Sequence, residues 1–300
     1  MRGMVLCSQF DLCNGYWNIR NSEETEDLMA FKMTRGLYAP RVMSFGPTNA
    51  PTCMQRFMNH IFQPLRDRYP GHFENYMDDC SMVTREGELD LHCQITREFF
   101  EILRENHLFL QPQKCLVKAE EMDFLGMRLN RHSITIDPSK IKGLTDWPRE
   151  LKNVKEIHKI LGVLGYQCPF IPNFASFARP LTNLLKKDTP FEWTPECHAS
   201  LDTLIDIVTS SPILVAPDQE RQFELEVDAS QFAIGAILWQ QDPANPKKLC
   251  ACGYYSATLS PAERNYKVFD RELLEIICAL RHWSHLLRGT ILPVLIWTDH

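Results

Sequence analysis

Apolar positions along this chain recur at two periods, two residues and about 3.6, and the changes between them outline its elements. Strand-like apolar runs occur at Met4 to Phe10, Leu37 to Phe45, Phe73 to Tyr76 and Cys80 to Val83. Helical patterns begin near Asn49 and cover Leu89 to Asn106. Phe109 to Cys115 and Met122 to Ile136 read as further strands, with Asn130-Arg131-His132-Ser133 as a turn. From Pro138 the spacing predicts helices over Ser139 to Trp147, Val154 to Tyr166, Phe174 to Leu185 and Pro195 to Val208, broken by Pro148, Pro169, Pro172, Pro190 and Pro195. The stretch from Ser211 to Gln219 holds two prolines and few core residues, so a domain boundary is expected there.

Candidate chemistry sits where two apolar runs meet. Tyr76-Met77-Asp78-Asp79 puts adjacent carboxylates at the turn of an expected hairpin, and Asp11 ends another strand-like run. Crowded carboxylates raise one another's pKa unless a cation neutralises them, so three of them form a cup of hard oxygen ligands suited to Mg²⁺. A solvated turn is the alternative for Asp78 and Asp79 alone, since Asp is common in turns.

Composition narrows the class. The 300 residues suit two or three domains, and 44% hydrophobic with 23% charged residues matches ordinary globular proteins. No apolar stretch approaches the roughly 18 residues of a membrane span, so a soluble chain is expected. A formal charge of −6 does not advertise a nucleic-acid binder. Lys140 and Lys142, Lys152, Lys155 and Lys159, and Lys186-Lys187 could track a phosphate backbone, although the same spacings describe solvated helix faces. The eleven cysteines lack a paired framework and the N-terminus lacks a secretory core, so reduced thiols in an intracellular compartment are expected, cytoplasmic or nuclear. Cys250 and Cys252 with His282 and His285 do not match zinc-finger spacing.

Phe10-Asp11-Leu12-Cys13-Asn14-Gly15-Tyr16, then Ser44 to Pro51 with Gln55-Arg56-Phe57-Met58-Asn59, then Tyr76 to Asp79, resemble motifs A, B and C of reverse transcriptases in order. Lys114-Cys115 and Phe124-Leu125-Gly126 fall where motifs D and E follow. Val227-Asp228-Ala229-Ser230, Gly235 to Leu238, Tyr254-Tyr255-Ser256, Arg271-Glu272-Leu273-Leu274 and Trp297-Thr298-Asp299-His300 are similar to the RNase H domain that follows the polymerase. The wording is closest to the Pol polyproteins of gypsy-type long-terminal-repeat retrotransposons, the Metaviridae, over about Phe10 to His300.

The resemblance implies an α+β and α/β chain: a reverse transcriptase palm over 1–137, thumb and connecting helices over 138–217, and an RNase H-like domain over 218–300. It implies Asp11, Asp78 and Asp79 as catalytic metal ligands of an RNA-directed DNA polymerase, with Leu12, Tyr16, Gly46 and Lys114 at the nucleotide. Tyr16 resembles the aromatic beneath the incoming sugar, Gly46 the glycine that permits close backbone approach, and Lys114 the lysine that assists pyrophosphate departure. It implies Asp228, Glu272 and Asp299 as ligands for hybrid cleavage, and two Mg²⁺ per site, with Mn²⁺ as a substitute. Glu272 is expected in the first turn of a helix whose Leu273, Ile276, Ile277, Leu280 and Trp283 recur at helical spacing, so helix capping is its alternative role. Glu275 on the same helix competes for the metal; only the match of Arg271-Glu272-Leu273 to the family pattern selects Glu272. The implied partners are an RNA template, a DNA primer, RNA–DNA hybrid and deoxynucleoside triphosphates, with no membrane, and the implied setting is a virus-like particle or the nucleus.

The chain departs from the pattern as well. Ser44 and Pro47 stand where Pro and Leu are usual, and Gly165 to Phe170 differs from the usual thumb wording. It begins ten residues before Asp11, so the fingers are expected to be missing, and it ends before a fourth RNase H acid. The alternative function is a catalytically inactive, truncated relic that retains the fold or nucleic-acid binding.

Overall fold

In the computed structural model, residues 4–187, 189–210, 212–230, 232–242, 245 and 247–298 are described. They fall into two units, the first ending at Met122 and the second beginning at Asp123.

The first unit is organised around the strand that ends in Asp11. Strand β1 (Leu6–Asp11) is followed by helix α1 (Glu23–Leu28), the exposed hairpin β2 (Phe31–Met33) and β3 (Gly36–Tyr38), and helix α2 (Ala50–Arg68). Strands β4 (Phe73–Tyr76) and β5 (Asp79–Thr84), helix α3 (Leu89–Glu105) and strand β6 (Leu116–Ala119) complete it. The main sheet has the order β4-β5-β1-β6, so β1 is central and antiparallel to both neighbours. Helix α2 buries Ala50, Met54, Met58, Phe62 and Leu65, and α3 buries His92, Ile95, Phe99 and Leu103. Steps of three and four keep each set on one stripe. These stripes pack with Phe10, Phe73, Cys80 and Met82 from the sheet, and the Phe62 and Phe99 rings stack at 5.2 Å. His92 is a satisfied core residue: Ser8 Oγ lies 2.8 Å from its Nε2 and Thr84 Oγ1 2.9 Å from its Nδ1.

Two expected strands come out differently. Of the run Leu37 to Phe45 only Leu37 and Tyr38 are in a strand, Gly36–Tyr38, and Val42 makes one bridge to Arg20, because Pro40 carries no N–H for a ladder. Of Phe109 to Cys115, Leu110 makes one bridge to Leu12, and Pro112 then turns the chain into a 3-10 turn, Pro112–Lys114.

A sheet ordered β7-β8-β9, from Glu121–Phe124, Met127–Asn130 and Ile134–Ile136, leads into the second unit. The Asn130 side chain accepts from the His132 and Ser133 amides and closes the expected turn. Helices α4 (Pro138–Thr145), α5 (Val154–Tyr166), α6 (Phe174–Phe177), α7 (Arg179–Asn183) and α8 (Pro195–Thr209) follow. The single helix expected over Phe174 to Leu185 is two, since Pro180 in the first turn of α7 cannot donate back to α6. Next come β10 (Phe223–Ala229), β11 (Ala233–Gln241), β12 (Leu249–Thr258), α9 (Val268–His282), α10 (Ser284–Leu287) and β13 (Leu295–Trp297). Their sheet has the order β12-β11-β10-β13, with β13 parallel to β10.

Both faces of that sheet are covered. Phe223, Leu225, Val227, Ala236 and Leu238 pack with Ala279 of α9 and Trp283. Ala251, Ile237, Trp239 and Tyr254 join a cluster with Ile157, Ile160, Leu164, Leu201 and Leu204 of the helices. Ile134 and Ile136 belong to the same cluster, and Ile134 bridges Leu214. β8 and β9 thus pack with the helices, and the helices share a core with the sheet. No helix among the described residues is long and apolar enough to cross a membrane.

Candidate active sites

Strand register assembles the first acidic cluster. β1 and β5 pair from Leu6↔Thr84 to Asp11↔Asp79, so two acids far apart in sequence face each other at the end of the ladder. The hairpin β4–β5 places Asp78 beside them, and the Leu12 amide donates to the Asp78 carbonyl at 3.2 Å. The turn holds Met77 at φ 50°, a left-handed conformation that costs a residue with a side chain on the order of 1 kcal/mol. Gln55 of α2 holds it there, its Oε1 accepting the Met77 N–H at 2.7 Å. Gly15 comes so close that a Cβ would sit 2.9 Å from Met54 Cε and 3.3 Å from Asp78 Cβ. Neither Gln55 nor Gly15 carried a role in the sequence reading, although both lie inside the motifs quoted.

Charge is unbalanced here. Burial, then the Asp78 and Asp11 carboxylates, push the Asp79 carboxyl above its ordinary range, and Lys114 pulls it partly back. Lys114 Nζ stands 3.3 and 3.5 Å from the two Asp11 oxygens. The three acids and their lysine are thus brought together, and the donor set is the hard-oxygen kind that Mg²⁺ takes. Among the described residues no three His, Cys, Asp or Glu side chains already converge as a metal cage.

The other nucleotide positions separate. Tyr16 packs edge-on against Phe45, with ring centroids 5.0 Å apart. Gly46 has φ 120° and open space where a Cβ would stand, a conformation that favours glycine. Leu12 lies in the core, its side chain 2% exposed and its amide donating to the Asp78 carbonyl.

The second acidic group is built differently. Asp228 lies near the end of β10, exposed and paired with Gly235 of β11. Glu272 sits in the second turn of α9, since the helix starts at Val268 and Asp270 is the acid of its first turn, so capping is not its role. The face of α9 turned inward also differs from the expected stripe: Leu273 is 57% exposed, whereas Glu275 is 1% exposed. Burial and the nearby Asp228, with Glu272 adding and Arg271 opposing, push the Glu275 carboxyl up to about 7, and its Oε1 has no hydrogen-bond partner. Asp299 lies outside the described residues.

Two family models match the chain. Residues 1–129 match the family "Reverse transcriptase (RNA-dependent DNA polymerase)", and residues 193–294 match "RNase H-like domain found in reverse transcriptase". The Transposon Tf2-3 and Tf2-4 polyproteins of Schizosaccharomyces pombe are each 33% identical over 300 residues, 100% of this chain. This chain belongs to the Pol polyproteins of gypsy-type retrotransposons. It spans 22% of the length of those relatives and is an enzyme by family. The retrotransposon Pol fold extends to solved structures. A foamy viral protease-reverse transcriptase in complex with RNA/DNA hybrid matches 99% of this chain and 39% of its own with a TM-score of 0.79 at 19% identity. The same protein in complex with dsDNA matches 97% and 59% with a TM-score of 0.77 at 20% identity.

Proposed function

We propose that this retrotransposon Pol chain extends a DNA primer on an RNA template and cleaves the RNA of the resulting hybrid, working in a reducing intracellular compartment. The observation that carries the polymerase reading is the Asp11↔Asp79 register with Asp78 in the adjoining turn and a raised Asp79 carboxyl. Asp11, Asp78 and Asp79 would hold Mg²⁺, which when bound lowers the pKa of an attacking hydroxyl and stabilises the leaving oxygen. Lys114 delivers positive charge to the same carboxylates from a half-exposed position, where it can also meet the departing pyrophosphate. Tyr16, steadied by Phe45, excludes a 2′-hydroxyl on the incoming sugar, and Gly46 leaves backbone open to the nucleotide.

In the second unit Asp228, Glu272 and Asp299 would hold the metals for hybrid cleavage, with the buried Glu275 carboxyl close enough to Asp228 to feel its charge. Eleven free thiols suit the reducing compartment. The test is primer extension with Mg²⁺ and deoxynucleotides on an RNA template, run for this chain and for one extended at both ends to match the relatives. Template-dependent extension that Asp78→Asn removes is expected. Its absence from both wild-type forms overturns the polymerase reading.

A further inference from the structure

Helix α2 carries a line of polar side chains beside its buried stripe: Gln55, Asn59 and Arg66, all half-buried and on one side of the helix. At 1.5 Å per residue the line runs about 16 Å, from behind the turn at 76–79 towards the C-terminal end of α2. Arg66 Nη2 donates to Asn59 twice, at 3.1 Å to Oδ1 and at 3.1 Å to the carbonyl. Pro64 has no N–H for the His60 carbonyl, so the helix's own ladder is interrupted beside Asn59, and the guanidinium spans the interruption. Gln55 Nε2 donates to the same Asn59 Oδ1 at 2.8 Å, and Gln55 Oε1 accepts the Met77 N–H at 2.7 Å. Burial and the Asp79 and Asp78 carboxylates push the Cys80 thiol well above its ordinary range, and the Arg66 charge opposes them, so the guanidinium lies near the strand that carries Asp79.

An amide side chain presents an oxygen on one side and a nitrogen on the other, and turning it over exchanges acceptor for donor. Arginine carries donors alone, so the Asn59 atom that faces it must be the oxygen. That oxygen calls for the nitrogen of Gln55, and the nitrogen leaves the Gln55 oxygen for the Met77 N–H. One cation thus sets the polarity of the whole line, and a charged donor sets it more firmly than a neutral one. Gln55 has an alternative beside it: its Nε2 lies 3.4 Å from the Asn75 carbonyl, and the buried Asn75 side chain has neither its oxygen nor its nitrogen paired. We propose that Arg66 is a positioning residue for nucleotidyl transfer: through Asn59 it fixes which way the Gln55 amide faces, and so holds the Met77 turn between Tyr76 and the two acids. The assignment rests on the polymerase reading of the first unit, and it places a control on Asp78 and Asp79 at the far end of a helix that carries no acid of the site.

The experiment follows the Met77 amide directly, by hydrogen exchange on the full chain with selectively labelled methionine, beside primer-extension kinetics at saturating template. In Arg66→Met the Met77 amide should exchange about tenfold faster, and kcat should fall about tenfold with KM for the deoxynucleotide unchanged, the worth of one hydrogen bond from a charged donor. Arg66→Lys, which again offers donors alone, should restore both readouts. Asn59→Asp, which offers acceptors alone, should likewise stay near wild type where Asn59→Leu does not. On a Gln55→Ala background Arg66→Met should add nothing further, and additive effects overturn the proposal. So does an unchanged Met77 exchange rate in Arg66→Met, or a Lys variant as impaired as the Met variant at equal melting temperature. Should Arg66→Met melt early, the Asn59 pair decides, equal exchange in the Leu and Asp variants being fatal. A wild-type chain that extends no primer ends the polymerase reading and the positioning role with it, whereas fast Met77 exchange in Arg66→Met with full extension ends the positioning role alone.

Discussion

The two acidic groups reach similar composition by opposite routes. In the first unit the carboxylates sit on backbone whose position is set by strand pairing, and a lysine stands against them. In the second, a strand acid meets acids carried on a helix, and the helix buries one carboxylate without giving its Oε1 a partner. Register tolerates no adjustment, because a slip of one residue would turn the acids to the other face of the sheet. A helix packed on a sheet sets its acids by rotation, and one apolar-to-acid change on the inward face alters the balance of charge.

The largest expected effect separates the two groups by function. Asp78→Asn or Asp79→Asn should lower primer extension on the order of 10³-fold, each removing a ligand charge worth several kcal/mol at 1.36 kcal/mol per tenfold, while hybrid cleavage persists. Extension surviving in the double variant would end the assignment. Glu272→Gln should do the reverse, lowering hybrid cleavage on the order of 10²-fold with extension intact; loss of both activities would point to misfolding.

Smaller effects test the contrast in rigidity. Glu275 has a folded pKa of about 7, above its ordinary 4.5, so its contribution to stability is present below the unfolded value and is lost as pH rises through 7. Glu275→Gln should therefore stabilise the fold by on the order of 2 kcal/mol at pH 8, read as a higher melting temperature, and change it little at pH 4. Equal shifts at both pH values would show that charge is not the cause. In the first unit, Gln55→Ala removes the acceptor for the strained Met77 amide and should cost about 1 kcal/mol in denaturant unfolding. A tighter or unchanged hairpin by amide hydrogen exchange would show that the turn holds itself.

Much of this was legible in the chain. The stripes of α2 and α3, the hairpin at Tyr76 to Asp79 and the strand ending at Asp11 follow from spacing alone, because each buries one face against a single core. Hidden features depended on the third dimension. Nothing in the spacing of Gln55 points to the Met77 amide, and Leu273 completes a plausible apolar stripe that the fold leaves in solvent. Glu275 was visible as a rival to Glu272, but its burial against Asp228 depends on the angle at which α9 meets the sheet. The link from Arg66 to the turn was the least legible, since it depends on which atom of each amide faces its neighbour.

The register of β1 also sets a timetable. Asp11 leaves the ribosome before its partner Asp79, which lies two helices and a hairpin downstream, and its lysine is 103 residues away. Distant pairings form slowly, because the chain must close long loops before any contact rewards it. A nascent chain therefore carries these carboxylates as scattered, hydrated charges, and the concentrated negative site comes into being only when β5 and β6 close around β1. The electrostatic strain of the site falls on the finished sheet, at the stage when its core can bear it.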